Sequence, residues 1–438
     1  MSRTSWFPDI PVIPFEGSQG TNPLAFKHYD AEEIVAGVAM REHLRFAVCY
    51  WHSMRNAGAD PFGAGCRPLP WVEAPDPMTA ARQTMDAMFE LITKLGCEFW
   101  CFHDRDIAPE LPTLAETNEA LDQIVDRAAH LQDTTGIKLL WGTACLFQHP
   151  RYMAGAGTSP SVDVFAHAAA QVKKALEVTH RLGGEGYVFW GGREGYDTLL
   201  NTDMGRELDH MAALLRLAVQ HKQDIGFTGQ FYIEPKPKEP TTHQYDFDAQ
   251  SCHAFLQHYG LDADFKLNIE ANHAALAGHT FEHDLTYASI HGLLGSIDAN
   301  RGDPLIGWDT DQFPTNLYDA VSTMLTLLRA GGFTTGGLNF DAKLRRQSTD
   351  LADIFHAHIG GMDAFARGLK IASRIIDDGR IDELRAARYV GWDSDLGARI
   401  ERGEVLMDDL ERHALATDVQ SIGSGRQELL ENLINEYI

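Results

Sequence analysis

The chain has 438 residues, 44% apolar and 23% charged, with a formal net charge of −25. So large a negative charge repels nucleic acid and anionic membranes, favours cations, and leaves a small molecule as the expected partner. No run approaches the roughly 18 apolar residues of a membrane span, and residues 1–17 lack a basic region followed by an apolar one, so neither an anchor nor a signal peptide is expected.

Residues 1–41, with their Pro and Gly, read as a lead-in segment. After them, short β-branched and aromatic runs, each ending in a polar residue, occupy 46–52, 98–103, 137–143, 186–192, 230–236, 265–270, 293–298 and 337–341. Amphipathic stretches separate them. In 79–96, Met85, Met88, Phe89, Ile92 and Leu95 recur at helical spacing, and in 116–133, Leu121, Ile124, Val125, Ala128 and Leu131 do so. Residues 161–182 and 204–223 read likewise. Alternation of this kind predicts an α/β protein with a parallel sheet, and eight strands predict closure into a (β/α)8 TIM barrel over 42–350. An open doubly wound sheet is the structural alternative, but it normally brings a Gly-rich phosphate turn after its first strand, and none is there. From 351 to 438 the pattern is helix and loop, strongly helical over 348–378. A tail of that length cannot bury its own apolar face, which predicts a C-terminal helical extension for oligomer contacts. The six cysteines (Cys49, Cys66, Cys97, Cys101, Cys145, Cys252) lack CxxC spacing and mostly lie in apolar surroundings. Reduced, buried thiols in a cytoplasmic protein are the expectation.

Active sites of such barrels gather at the C-terminal ends of the strands. Here those ends carry Glu234, Glu270, His273, Asp298 and Asp341, and the loop after the seventh run holds Asp309 and Asp311. The Asp-Thr-Asp sequence of 309–311 sets two carboxylates on one face of an extended segment. Any one of these acids could cap a helix or pair at the surface. Six carboxylates and one imidazole at one mouth instead call for divalent cations, because unpaired they would repel strongly. Hard oxygen donors with a single imidazole suit Mg2+, Mn2+ or Co2+ better than zinc held by thiolates.

His103, three residues before Asp106, can be fixed in one tautomer by that carboxylate and exchange protons through its other nitrogen, or can be a satisfied structural histidine. Lys236, two residues after Glu234 and on the same side of the strand, either places a cation near a substrate oxygen or neutralises acids; it is the only cation the sequence puts at the mouth. Trp51, Phe102, Trp141 and Trp190 fall at strand ends, with Phe62 in the loop after the first. They read as barrel-top packing, or as a dry wall against the C–H faces of a polyol whose hydroxyls meet polar groups such as Thr143.

The motifs carrying these residues resemble the xylose isomerase family. They are Trp-Gly-Thr at 141–143, Trp-Gly-Gly-Arg-Glu-Gly-Tyr at 190–196, Ile-Glu-Pro-Lys-Pro at 233–237, Glu-Ala-Asn-His-Ala at 270–274, Gly-Trp-Asp-Thr-Asp at 307–311 and Asn-Phe-Asp-Ala-Lys at 339–343. Ile-Pro-Phe-Glu-Gly at 13–17, residues 22–29 and residues 425–433 are similar to its longer class, so the resemblance spans essentially the whole chain. It implies that Glu234, Glu270, Asp298 and Asp341 bind a structural metal, and that Glu270 bridges to a catalytic metal held with His273, Asp309 and Asp311. It further implies that His103 with Asp106 assists ring opening, that Lys236 meets the C1 carbonyl oxygen, and that Phe62 enters a neighbour's site. The family it resembles is a cytoplasmic homotetramer that converts D-xylose to D-xylulose and also accepts D-glucose.

Every acid at the strand ends is then committed to a metal, leaving no free carboxylate as base. That favours a two-metal-assisted hydride shift over an enediol route. A binuclear hydrolase of phosphate esters would need more Arg, Lys and backbone donors at the mouth. A cation-buffering protein would scatter its acids over exposed helices.

Overall fold

The structure, a computed structural model, describes residues 5–438. Eight strands close into a barrel: β1 (Phe46–Cys49), β2 (Phe99–His103), β3 (Lys138–Thr143), β4 (Gly186–Trp190), β5 (Gln230–Glu234), β6 (Phe265–Glu270), β7 (Leu294–Asp298) and β8 (Leu338–Phe340). Each pairs in parallel with its sequence neighbours, and β8 closes on β1. Most strand residues are buried on both faces, as helices outside and side chains inside require. The predicted runs over 46–52, 186–192 and 230–236 are too long at their C-terminal ends. Pairing stops at Cys49, Trp190 and Glu234, and the polar residues beyond turn into the loops over the mouth. After β1 the chain enters a π-helical turn, Trp51–Arg55, which carries Trp51 and His52.

The helices between the strands start and stop on local signals. Helix α1 (Pro77–Leu95) is capped by Asp76, whose carboxylate accepts from Thr79 N, and ends at Gly96 with φ 70°. Helix α2 (Leu114–Thr135) opens on a capping box of Thr113 and Glu116. Helices α3 (Val162–Arg181), α4 (Met204–Asp224), α5 (Ala249–Tyr259), α6 (Phe281–Ile290) and α7 (Leu317–Arg329) follow, and α8 (Asp353–Asp378) carries the chain onward. The lead-in is tied down: Asp363 accepts from the backbone N–H of Lys27, His28 and Tyr29, each at 2.8 Å, and the Phe7 ring packs on Trp71 and Phe355.

The chain divides into two compact units, the second being Leu369–Ile438. That unit contains α9 (Arg380–Tyr389), α10 (Asp395–Glu401), α11 (Met407–Ala416) and α12 (Gln427–Tyr437). Arg380 ties its two ends, bonding Glu436 at 3.0 Å and the Tyr437 hydroxyl at 2.8 Å. Trp392, Met407, Leu415 and Ile422 on this unit are exposed. Among the described residues no helix is long and apolar enough to cross a membrane. All six cysteines are free, five of them buried and Cys66 exposed.

Inside the barrel, Ala47, Phe99, Cys101, Leu140, Trp141, Val188 and Tyr232 form one packed cluster. The Tyr232 ring fills the space left by two strand glycines. A Cβ on Gly186 would stand 2.4 Å from it and one on Gly295 2.3 Å, while its hydroxyl bonds Thr335 Oγ1 at 2.7 Å. Overpacking a filled core of this kind typically costs about 1–3 kcal/mol. Gly295→Ala is therefore expected to lower the melting temperature clearly. Gly205→Ala, whose Cβ in the first turn of α4 would meet nothing closer than 3.9 Å, should leave it unchanged or raise it. Equal melting temperatures for the two variants would contradict this packing.

Candidate metal centre

Parallel register brings the strand ends level: Glu270 pairs with Asp298 across β6 and β7, and Trp190 with Glu234 across β4 and β5. The carboxylates therefore meet. One oxygen from each of Glu234, Glu270, Asp298 and Asp341 lies within 4.8 Å of the others. The same holds for Glu270, Asp309 and Asp311, and for an oxygen each of Glu234 and Glu270 with a ring nitrogen of His273. Glu270 belongs to all three groups. Asp311 departs from the extended conformation expected for 309–311: its φ is 41°, in the left-handed region, and the loop rather than strand alternation aims both carboxylates at Glu270.

Charge compensation is uneven. Lys236 Nζ donates to Asp309 Oδ2 at 2.6 Å and Lys343 Nζ to Asp311 Oδ2 at 2.8 Å. His52 Nε2 lies 3.2 Å from Asp311 Oδ2 and 3.0 Å from Asp341 Oδ1. Lys236 is thus not the only cation at the mouth. Against the burial that would raise them, Lys236 and His273 hold Asp309 well below the usual carboxylate range, and His52 with the Trp51 N–H lowers Asp341. Burial would lower His52, but Asp341 and Asp311 hold it up at about 9. Glu234, Glu270 and Asp298 are met instead by amides: Asn268 donates to Glu234 (3.1 Å) and Asp298 (2.7 Å), Asn339 to Asp298 (2.8 Å) and Asn300 to Glu270 (2.7 Å). Burial first, then neighbouring carboxylates, push Glu234 and Glu270 well above their usual range and Asp298 up to about 8.

The donor set fits a divalent cation. His273 Nδ1 is buried, stands 3.1 Å from Glu270 Oε2 and 3.6 Å from Glu234 Oε1, and makes no hydrogen bond. An imidazole nitrogen without a partner among carboxylates driven towards protonation is what a bound cation resolves.

Above the acids a cavity of about 440 Å³ is lined by Trp51, His103, Trp141, Thr143, Phe147 and Trp190, among others. His103 Nδ1 bonds Asp106 Oδ2 at 2.8 Å, so the ring's other nitrogen is left for exchange, and Trp51 packs against the imidazole at 4.3 Å. The Thr143 hydroxyl donates to Val188 O at 2.6 Å and keeps lone pairs for an incoming hydroxyl. Lys236 Nζ lies 5.2 Å from the Trp190 ring centre. Phe62 is not part of this lining; it is exposed, and its ring lies tilted against that of Trp308, 6.1 Å between centres. Sequence reasoning missed Phe147, which meets Trp190 edge-on at 4.4 Å, together with His52, Lys343 and the three asparagines. The asparagines had a readable signal, since Asn268 and Asn339 stand two residues before an acid and Asn300 two after one. Phe147, in a loop, had none.

A family model for the XylA2 C-terminal domain matches residues 385–438. The xylose isomerase of Thermotoga neapolitana is 57% identical over 433 residues, covering 99% of this chain and 98% of that one. The xylose isomerase of Rhodopirellula baltica is also 57% identical, covering 99% of both chains, and that of Thermoanaerobacter pseudethanolicus is 55% identical with the same coverage. Among solved structures, the apo 3-keto-D-glucoside 4-epimerase of E. coli superposes with a TM-score of 0.50 over 73% of this chain and 98% of that one, at 11% identity, a likeness of fold alone.

The site makes stability depend on pH in a defined direction. Asp298, at about 8 against an ordinary 3.8, keeps its proton in the fold after the unfolded chain has lost its own, so its effect on stability falls as pH rises towards 8. His52, at about 9 against 6.5, contributes stability that is complete below 6.5 and lost as pH rises through 9. Both slopes agree between these limits. Chelated protein is expected to melt at a lower temperature at pH 8 than at pH 6.5, and saturating Mg2+ to flatten or reverse that trend. A chelated protein whose melting temperature rises over the interval would contradict the assignment.

Proposed function

The chain belongs to the xylose isomerase family, enzymes that interconvert aldose and ketose, and from that premise we propose how its residues perform the reaction on D-xylose and D-glucose. The observation that carries the reading is the sharing of Glu270 between two acidic groups beneath a cavity walled by aromatic rings.

In this reading Glu234, Glu270, Asp298 and Asp341 hold one divalent ion and Glu270, His273, Asp309 and Asp311 a second, Mg2+ or alternatively Mn2+ or Co2+. When bound, the two ions neutralise the carboxylates and supply Lewis acidity at the sugar oxygens O1 and O2. His103 binds the cyclic sugar and moves the proton that ring opening transfers between the O1 hydroxyl and the ring oxygen, its tautomer kept by Asp106. Lys236, held beside Trp190, sets a positive charge for the C1 carbonyl oxygen, and Thr143 accepts a substrate hydroxyl. Trp51, Trp141, Phe147 and Trp190 cover the C–H face of the extended chain and exclude water. The C2–H bond then breaks as the C1–H bond forms, the electron pair travelling with the hydrogen. O2 gives up its proton to become the ketone and O1 gains one.

The exposed apolar side chains of the C-terminal unit support a homotetramer in which Phe62 enters a neighbour's cavity. The free cysteines support work in the cytoplasm.

D-xylose with Mg2+ is expected to yield D-xylulose, and in D2O the product should carry little deuterium at C1, because the hydrogen leaving C2 never meets solvent. NMR of that product decides: extensive C1 deuteration would assign the transfer to a base, with His103 of the cavity lining as the candidate. His103→Gln is expected to lower turnover on pure α-anomer by roughly 10²–10⁴ while Mg2+ affinity is kept. Unchanged turnover would reduce His103 to packing.

A further inference from the structure

Outside the acidic groups of the mouth, the starts of α5 and α6 bring together a different set of donors. Thr280 caps α6 by accepting from His283 N, which places His283 and Asp284 in the first turn, close after His279. One ligand atom from each of His279, His283 and Asp284 lies within 4.8 Å of the others. The two imidazole rings are 4.6 Å apart, and His279 Nδ1 lies 2.9 Å from Asp284 Oδ1. Ligand atoms around a tetrahedral ion at ~2.0–2.1 Å are themselves separated by roughly 3.3 Å, so the group is already close to a coordinating arrangement. Asp248 approaches from α5. Its Oδ1 accepts from Ser251 N as the cap of that helix, while its Oδ2 stands 3.8 Å from His279 Nε2.

Asp284 is buried, His279 is half-buried and His283 is exposed, so the group opens to solvent on the His283 side.

We propose that His279, through Nδ1, together with His283 and Asp284, forms a Zn2+ site at the start of α6, with Asp248 facing the opposite ring nitrogen of His279 and orienting that imidazole. Two imidazoles and one carboxylate suit zinc, whereas the carboxylate-rich mouth suits harder ions. None of these residues takes part in the proposed isomerisation, so the two readings stand or fall separately.

The test titrates ZnCl2 into holoenzyme saturated with Mg2+, followed by calorimetry and by elemental analysis after gel filtration. The wild-type protein should take up one Zn2+ per chain while retaining its Mg2+, and zinc should raise its melting temperature. His283→Ala, at an exposed position, should keep Mg2+-dependent isomerase activity, lose that zinc or bind it at least about tenfold more weakly, and lose the thermal shift. His279→Gln, which keeps a polar contact for Asp284, should behave the same way. Equal zinc uptake by wild type and both variants, or zinc that enters only by displacing Mg2+, would overturn the proposal.

Discussion

Buried negative charge at one end of the barrel is the constraint on which the rest of the site depends. Six carboxylates stand at or just beyond the strand ends, and the protein's own cations answer only some of them. Lys236 and Lys343 pair with Asp309 and Asp311, and His52 sits between Asp311 and Asp341. Glu234, Glu270 and Asp298 receive amides, which orient a carboxylate without cancelling its charge. Their upward pKa shifts express that shortfall. A divalent ion would remove it, and two ions sharing Glu270, as proposed, would remove it for both groups at once.

Holding such charges together needs a rigid frame. Parallel pairing fixes the heights of the strand ends, so that Glu270 and Asp298 arrive level without adjustment by loops. Below them the barrel is filled by side chains, with Tyr232 seated where Gly186 and Gly295 leave room. Trp51 joins the two layers: its indole N–H bonds Asp341 Oδ1 at 2.8 Å while its ring packs on His103 and Trp141. One side chain thus orients an acid and forms part of the wall above it. That wall matters because charge interactions strengthen where water is excluded.

The eight strands were legible because each is a short apolar run punctuated by turn residues and separated by helical periodicity. Their C-terminal limits were less so. A polar residue after Cys49 or Glu234 reads equally as the last strand position or the first loop position, and only pairing decides. The acids and His273 were legible because charged residues directly after buried strands have few structural excuses. His52 was not, since it looked like the polar end of the first strand, whereas the π-helical turn swings it towards Asp341. Lys343 lay within a quoted motif, yet nothing in its spacing showed that its ammonium would reach Asp311. Phe62, from the loop beyond β1, was expected in a neighbouring subunit's site, and in the single chain its exposed ring lies tilted against Trp308.

The central claim is that this end of the barrel binds two divalent ions through one shared carboxylate. Calorimetric titration of chelated protein with Mg2+ tests it most directly. Two ions per chain are expected, with Asp309→Asn losing mainly one and Glu270→Gln weakening both. A single ion in the wild-type chain, or a Glu270→Gln protein that binds two ions as tightly as wild type, would contradict the account.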